Sequence, residues 1–227
     1  MKTVIITAVL LLSAAMMAPN CQAKLGWRDS FSVDKSDLGP TGSNTYFILQ
    51  PGYKLFYEHG KSALIRTVLD ETKMVDGVEV RVVEDRETEN GQIIEVARDF
   101  FAIDEKTEDV YYFGEDVDNY KAGKVVSHGG SWRSGVKSAH FGLQMPGKPK
   151  LGYRFYQELA PGTAMDRAKV VGVNEELKVP AGTFKGCVRF KESSAIERGT
   201  SEKWYAPGVG MIKDDEFDLV KIQRPAR

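Results

Sequence analysis

The sequence predicts an all-β, antiparallel protein, and three observations support this fold class. From Asn44 onward, polar and apolar residues alternate with a period close to two, which is typical of strands. Gly, Pro, Asn and Asp recur at short intervals between these stretches and predict turns. No segment after the first 23 residues keeps an apolar period of 3.6. Together these patterns favour an antiparallel barrel or sandwich.

The first 23 residues have the organisation of a secretory signal peptide. Lys2 provides a positive start, residues 4–17 are uncharged and mostly apolar, and small residues, Cys21 and Ala23, lie just before Lys24. We expect cleavage after Ala23 and export to the periplasm or the cell exterior. The apolar run is shorter than the ~20 residues of a membrane-spanning helix, and no later run replaces it. Lipidation of Cys21 is an alternative, but residues 18–20 depart from the pattern that normally precedes a lipidated cysteine.

The exported chain is expected to consist of a leader and one domain. Residues 24–43 are polar and rich in glycine, so we expect them to be loosely ordered. Residues 44–224 are expected to form a single antiparallel β domain. Residues 75–102 and 179–206 share a weak pattern of turn, strand and a second strand ending in two aromatics and Ala, which is compatible with two similar meander halves. The predicted hairpin turns are Pro51-Gly52, Asp76-Gly77, Asn90-Gly91, Ala122-Gly123, Pro161-Gly162 and Pro207-Gly208.

One segment, residues 127–152, interrupts the strand pattern. It contains six glycines and two prolines, which predict a long irregular loop. Loops of this length in compact domains are usually functional or mobile. We predict that the loop forms a lid over a binding site, with Trp132, His128, His140 and Phe141 as its contact residues.

Charge and cysteine content exclude some classes of protein. Without Lys2 the chain has 30 basic and 32 acidic residues, so a nucleic-acid partner is not expected. Cys187 is the only cysteine after the predicted cleavage site, which rules out an internal disulfide in the processed chain. Its apolar surroundings predict a buried, unreactive thiol. A large hydrophobic core must therefore stabilise the domain.

The residues give no firm candidate for catalysis or for a metal. Gly-x-Ser-x-Gly is absent, although Ser131 and Ser134 lie near His128. The three histidines, His59, His128 and His140, are far apart in sequence, and no His-Glu-x-x-His or paired-cysteine motif occurs. We therefore predict no catalytic residue, no metal ligand and no cofactor.

Paired acidic residues are frequent, and we expect them to solvate the outer face of the sheet. They are Asp70-Glu71, Glu84-Asp85, Asp104-Glu105, Glu175-Glu176 and Asp214-Asp215-Glu216.

Adjacent aromatic pairs are the enrichment most relevant to function. In a strand, neighbouring side chains point to opposite faces, so one member of a pair such as Trp204-Tyr205 faces inward. Such residues either fill a core or line a cavity that accepts an apolar ligand. We include Trp204 and Tyr205 among the candidate ligand-binding residues.

Three segments resemble a family of exported, largely uncharacterised bacterial proteins, the DUF3108-like family. They are Asn44–Gly52, Val179–Phe184 and Trp204–Gly210, and with Phe100–Asp116 the resemblance extends over nearly all of residues 44–222. It implies an antiparallel meander curled into an open or partial β-barrel, similar to lipoprotein carriers of the bacterial envelope. It implies no catalytic residues.

The leading functional hypothesis is a non-catalytic exported protein that binds an apolar or amphipathic ligand, such as a lipid, or a protein segment in the barrel concavity. The first alternative is an envelope component that docks another envelope protein through a strand edge or an aromatic patch. A metal-dependent or hydrolytic enzyme is the third hypothesis.

Overall fold

The computed structural model describes residues 26–225, which form an almost entirely β-stranded structure. The predicted signal peptide, with Cys21, lies outside the described residues. A short 3-10 helix covers Lys35–Asp37. No helix in the described range is long and apolar enough to cross a membrane. The strands are β1 Leu38–Gly39, β2 Ser43–Asn44, β3 Phe47–Ile48, β4 Lys54–His59, β5 Ser62–Val75, β6 Val78–Glu89, β7 Gln92–Asp104, β8 Val110–Lys121, β9 Lys124–Ser127, β10 Trp132–Arg133, β11 His140–Met145, β12 Arg154–Tyr156, β13 Glu158–Leu159, β14 Asp166–Val179, β15 Gly182–Ser194, β16 Ser201–Ala206, β17 Gly210–Asp214 and β18 Phe217–Gln223.

Sixteen of the described strands form one large antiparallel sheet that curls into a barrel, which confirms the predicted fold class, and β2 and β3 form a separate two-stranded sheet. The order around the sheet is β12-β14-β15-β16-β17-β18-β4-β5-β6-β7-β8-β11-β13. Most neighbours in this order are also neighbours in sequence, as expected for a meander. The turn between β5 and β6 places Asp76 and Gly77 at positive φ, and that between β6 and β7 does the same with Asn90 and Gly91.

The two ends of this sheet meet at one unsealed seam. The end strands, β12 and β13, are separated in sequence by Gln157 alone, and they pair with β14 and β11 on opposite sides. Gly142 of β11 lies directly against this junction. A Cβ added at Gly142 would come within 2.2 Å of the Gln157 carbonyl oxygen and 2.8 Å of the Tyr156 oxygen. Glycine is therefore required where the backbones approach at the seam.

The long segment that the sequence predicts to be a lid loop is instead partly built into the sheet. Strand β10 pairs with β8 through Trp132 and Glu115, and β11 pairs with both β8 and β13. The glycines of this segment suggested irregular structure, but they allow close contact with neighbouring backbone. A Cβ on Gly147, for example, would lie 1.9 Å from the Thr107 carbonyl oxygen. Residues 127–152 thus supply part of the barrel wall.

The described part of the predicted leader is attached to the barrel more regularly than expected. Arg28 forms a bridge with Phe155, and β1 pairs with the end of β7 through Leu38 and Asp104. Arg81, which is 6% exposed, donates a hydrogen bond to the Pro40 carbonyl at 2.9 Å. These contacts fix residues 28–40 against the sheet.

The hydrophobic core is rich in aromatic rings. Phe101 stacks on Tyr112 with ring centroids 4.8 Å apart, and Phe47 packs edge-on against Phe101 at 4.9 Å. Cys187 is fully buried and its thiol lies 3.4 Å from the Phe184 carbonyl oxygen, as expected for an unreactive cysteine. Burial raises the pKa of this thiol, which reduces its nucleophilicity further.

Replacing Gly142 by alanine should destabilise the protein by about 1–3 kcal/mol or more, because the added methyl group meets backbone atoms that have little room to move. Urea unfolding followed by tryptophan fluorescence measures this loss. The matched control is Gly39→Ala in strand β1, where the nearest atom to an added Cβ is a Glu105 side-chain oxygen at 3.9 Å. Equal stability of the two variants would contradict the close contact at the seam.

Candidate functional site

A cavity of about 370 Å³ lies inside the barrel, and carboxylates dominate its lining. Strands from all round the sheet contribute, with nine acidic and two basic side chains. We call it the acidic cavity. It is lined by Leu64, Arg66, Asp85, Glu87, Glu95, Ala97, Asp99, Phe101, Tyr112, Glu115, Gln144, Gln157, Glu158, Asp166, Glu192, Lys203 and Asp214.

Strand alternation explains how these side chains reach the interior. Strand β7 contributes Glu95, Ala97, Asp99 and Phe101, which are every second residue and therefore share one face. The opposite face is also charged: Arg98 forms ion pairs with Glu84 at 3.2 Å and Asp118 at 3.4 Å. The middle of the sheet therefore has charged residues on both faces.

The cavity becomes more enclosed along β7. Glu95, near the β6–β7 turn, is half-buried, whereas Asp99 is 7% exposed and Phe101 only 2% exposed. Phe101 and Tyr112 line the cavity and also belong to the aromatic core. We infer that the cavity opens at the barrel end that carries the β6–β7 turn and is closed by these two rings.

Two basic residues neutralise part of the cavity. Arg66 donates to Asp85 from two of its nitrogens, with Nε 2.9 Å from Oδ1. Lys203 Nζ lies 3.1 Å from Glu192 and 3.5 Å from Asp214. Burial alone would lower the pKa of Lys203, but these carboxylates outweigh it and raise the pKa well above its usual value. Both cations are therefore charged and already occupied.

Five cavity carboxylates form no ion pair with a described residue: Glu87, Glu95, Glu115, Glu158 and Asp166. Burial, together with Asp99 and Glu158, raises the pKa of Glu115 to about 9. Burial, followed by the charges of Asp166 and Asp99, raises the pKa of Glu158 to about 8. Burial and Glu95 raise the pKa of Glu87. Burial, reinforced by repulsion among the acids, thus favours the protonated form of these carboxyls.

Asp99 occupies the deepest part of the acidic cluster. It accepts a hydrogen bond from the Tyr112 hydroxyl at 3.1 Å and lies 4.0 Å from Arg66. Burial and the neighbouring Asp85 still raise its pKa to about 7. Arg66 is thus shared by the half-buried Asp85 and the buried Asp99, and it does not fully compensate them.

Two buried polar groups near the acidic cavity lack a partner among residues 26–225. Gln144 lines the cavity, is 7% exposed, and its side-chain amide makes no hydrogen bond. Tyr205 is fully buried and its hydroxyl has no hydrogen-bond partner. That hydroxyl interacts electrostatically with Glu192, Lys203 and other cavity residues, so it lies close to the cavity. Buried polar groups are normally satisfied. Of these two, only the Gln144 amide lines the cavity and can reach a ligand there.

None of the three histidines lines the acidic cavity, and His59 and His128 contact different acidic residues. His128 is 71% exposed at its side chain and contacts Asp118 at 2.9 Å. His59 contacts Glu216 at 3.0 Å. His140 is exposed at the start of β11, opposite Leu159. Among the described residues, no group of three or more His, Cys, Asp and Glu side chains is arranged to hold a metal ion.

The aromatic candidates are also outside the lining of the acidic cavity. Trp132 is buried against Tyr112 at 5.5 Å and lines a separate pocket of about 240 Å³ with Ala160 and Pro161. Phe141 stacks on Phe113 at 4.8 Å. The Arg189 guanidinium lies over the Trp204 ring at 5.0 Å. None of the six predicted ligand-binding residues lines the acidic cavity, although Trp132 pairs with Glu115 and Phe141 pairs with Glu158, which do line it.

The expectation that paired acids solvate the outer face is wrong for the cavity residues among them. Of Glu84-Asp85, the first residue faces outward to Arg98 and the second faces the cavity. The available signal was the run Glu84–Glu89, in which both alternating faces are polar. A strand in a barrel must turn one face inward, so such a run requires a polar interior.

Stability should fall as the pH rises from about 5 to about 9. In this interval the folded protein retains protons on Asp99, Glu115 and Glu158 that the unfolded chain has already released, so a higher pH favours unfolding. The double substitution Glu115→Gln with Glu158→Gln should flatten the profile and raise the melting temperature at pH 9 by a few degrees, since ~1 kcal/mol corresponds to ~2–4 °C at this size.

Differential scanning calorimetry between pH 5 and pH 9 measures this dependence. Glu105→Gln is the control, because Glu105 is exposed and does not line the cavity. A stability that rises with pH in the unsubstituted protein, or an equal effect of the control, would show that the cavity acids do not govern the profile.

Comparisons with known proteins give little beyond the fold described above. No family model matches the chain, so the DUF3108-like motifs remain a resemblance. No curated protein matches it either. Among solved structures, the chain is similar to one described as a "putative lipoprotein" from Parabacteroides distasonis, with 12% identity and a TM-score of 0.39, over 81% of this chain and 100% of the other. That similarity is too remote to support an argument about function.

Proposed function

We propose that this protein is a non-catalytic, exported binding protein that holds an amphipathic, positively charged ligand in the acidic cavity. The observation that carries the proposal is the set of five half-buried carboxylates that line the cavity without an ion-pair partner in the described chain. A cationic ligand would supply the missing counter-charge. The volume, about 370 Å³, is within the usual range for small-molecule sites.

The apolar residues of the cavity support the amphipathic character of the ligand. Leu64, Ala97, Phe101 and Tyr112 line the cavity together with the acids. Apolar groups of a ligand would pack on these side chains while its charged group met the carboxylates. This differs from the apolar, aromatic-lined interior that the sequence suggested, because the aromatic pairs mostly fill the core.

A second candidate, docking to another envelope protein, is favoured by a separate surface. Strand β9 lies outside the main strand path, pairs only with β8, and carries Val125 and Val126, which are 43% and 61% exposed. An exposed strand edge with apolar side chains can pair with a strand of a partner. The binding role and this docking role are compatible in one protein.

Native mass spectrometry of the protein purified from its own envelope, followed by denaturing extraction, tests the binding role. We expect a bound compound that is released on denaturation and carries positive charge. Glu87→Gln with Glu95→Gln should abolish or strongly reduce its occupancy, whereas Glu71→Gln with Glu105→Gln, at two exposed positions, should leave it unchanged. A retained neutral or anionic lipid that is indifferent to the first pair of substitutions would contradict the proposal.

A further inference from the structure

The unpaired carboxylates of the acidic cavity are arranged at two depths. Glu87 and Glu95 lie directly opposite each other in the β6–β7 register, near the turn that joins these strands. Glu115 lies opposite Asp99 in the β7–β8 register, and it interacts electrostatically with Glu158. Glu95 and Asp99 are four residues apart on β7, which corresponds to ~13 Å along a strand. We call Glu87 and Glu95 the outer pair, and Glu115 and Glu158 the inner pair.

Two separated acidic pairs favour a ligand with more than one positive group. A compact cation placed at one pair would leave the other pair uncompensated. A divalent metal ion is further disfavoured, because the described side chains include no group of three or more acids, histidines or cysteines placed to ligate one. An extended chain with a cationic group at each end would meet both pairs.

The remaining lining fits the rest of such a chain. Leu64, Ala97 and Phe101 provide apolar surface for methylene groups. The side chain of Gln144, buried and without a hydrogen-bond partner among the described residues, offers its amide oxygen as an acceptor for an ammonium N–H. This amide, 7% exposed and lining the cavity without a hydrogen-bond partner among the described residues, is an observation independent of the acidic cluster.

On the basis of the proposed function, we propose that the ligand is a linear polyamine, with one ammonium group between the outer pair and another beside the inner pair. The class is defined by amino groups separated by short methylene segments. Ammonium groups donate three hydrogen bonds each, which suits sites formed by several carboxylate oxygens.

Isothermal titration calorimetry of the mature protein at pH 8 tests this assignment with three probes: spermidine, n-butylamine and Mg²⁺. We expect spermidine to bind at least tenfold more tightly than either of the other two. Glu87→Gln with Glu95→Gln, and separately Glu115→Gln with Glu158→Gln, should each weaken spermidine at least tenfold. Glu71→Gln with Glu105→Gln, which removes two carboxylates at exposed positions outside the cavity, should change it less than twofold.

Folding of the variants is not expected to limit the experiment, because each glutamine keeps the shape of the side chain and removes repulsion. Equal affinity for spermidine and n-butylamine, each reduced by the outer-pair substitutions, would overturn the polyamine assignment and leave a monovalent cation site. Tighter binding of Mg²⁺ than of spermidine would also overturn it. Absence of binding by all three probes would overturn the polyamine assignment. The proposed function would be tested separately, by the charge of the compound that native mass spectrometry detects on the protein purified from its own envelope.

A second readout separates binding in the cavity from binding at the surface. Glu115 and Glu158 are partly protonated at pH 8, so an ammonium group beside them should displace protons. The observed heat of spermidine binding should then depend on the ionisation enthalpy of the buffer, and this dependence should vanish in the Glu115→Gln, Glu158→Gln variant. A heat independent of the buffer in the unsubstituted protein would place the amine elsewhere.

Discussion

The enclosure of like charges inside a nearly closed sheet is the constraint on which the rest of this structure depends. Separating an ionised carboxyl from water is costly unless a counter-charge replaces the lost hydration. Among residues 26–225, nine acids line the acidic cavity and Arg66 and Lys203 are the basic residues in its lining. The protein meets part of the cost through its two ion-pair clusters, at Asp85 and at Glu192 with Asp214, and the remainder by retaining protons on Glu115 and Glu158.

The aromatic core makes this polar interior possible. Phe101 and Tyr112 stack at the base of the cavity and connect it to a cluster of buried rings and aliphatic side chains. Apolar burial stabilises the described part of the chain, in which Cys187 is a free thiol, at roughly 25 cal/mol per Å². The Tyr112 hydroxyl also bonds Asp99, so one residue joins the stabilising core to the acidic cluster. The core and the cavity are therefore adjacent layers of the same barrel.

The sequence predicted the fold well because its signals are local. Alternation and turn residues such as Asn90-Gly91 specify hairpins without reference to distant contacts. It predicted the site poorly because the inward or outward direction of a polar side chain depends on closure of the whole sheet. Glu87 and Arg86 have similar polar neighbours in sequence, yet only Glu87 lines the cavity. The prediction of a long loop failed because it also depended on distant contacts. Gly142 and Gly147 permit tight packing against backbone that is distant in sequence, but the sequence alone does not distinguish such glycines from those of a loop.

Stability and binding are physically coupled in such a barrel. A ligand that brings positive charge would remove repulsion among acids that the folded chain tolerates only by protonation, so binding and the ionisation of Glu115 and Glu158 would favour each other. Replacing the acids by neutral residues would stabilise the empty barrel and remove its counter-charge for a cation. Under the proposed function, the repulsion among the cavity acids would therefore contribute to the affinity for a cationic ligand. Such a relation is expected where a binding site lowers the stability of the fold that contains it. A binding role would therefore explain why this barrel has an acidic interior and not a fully apolar core.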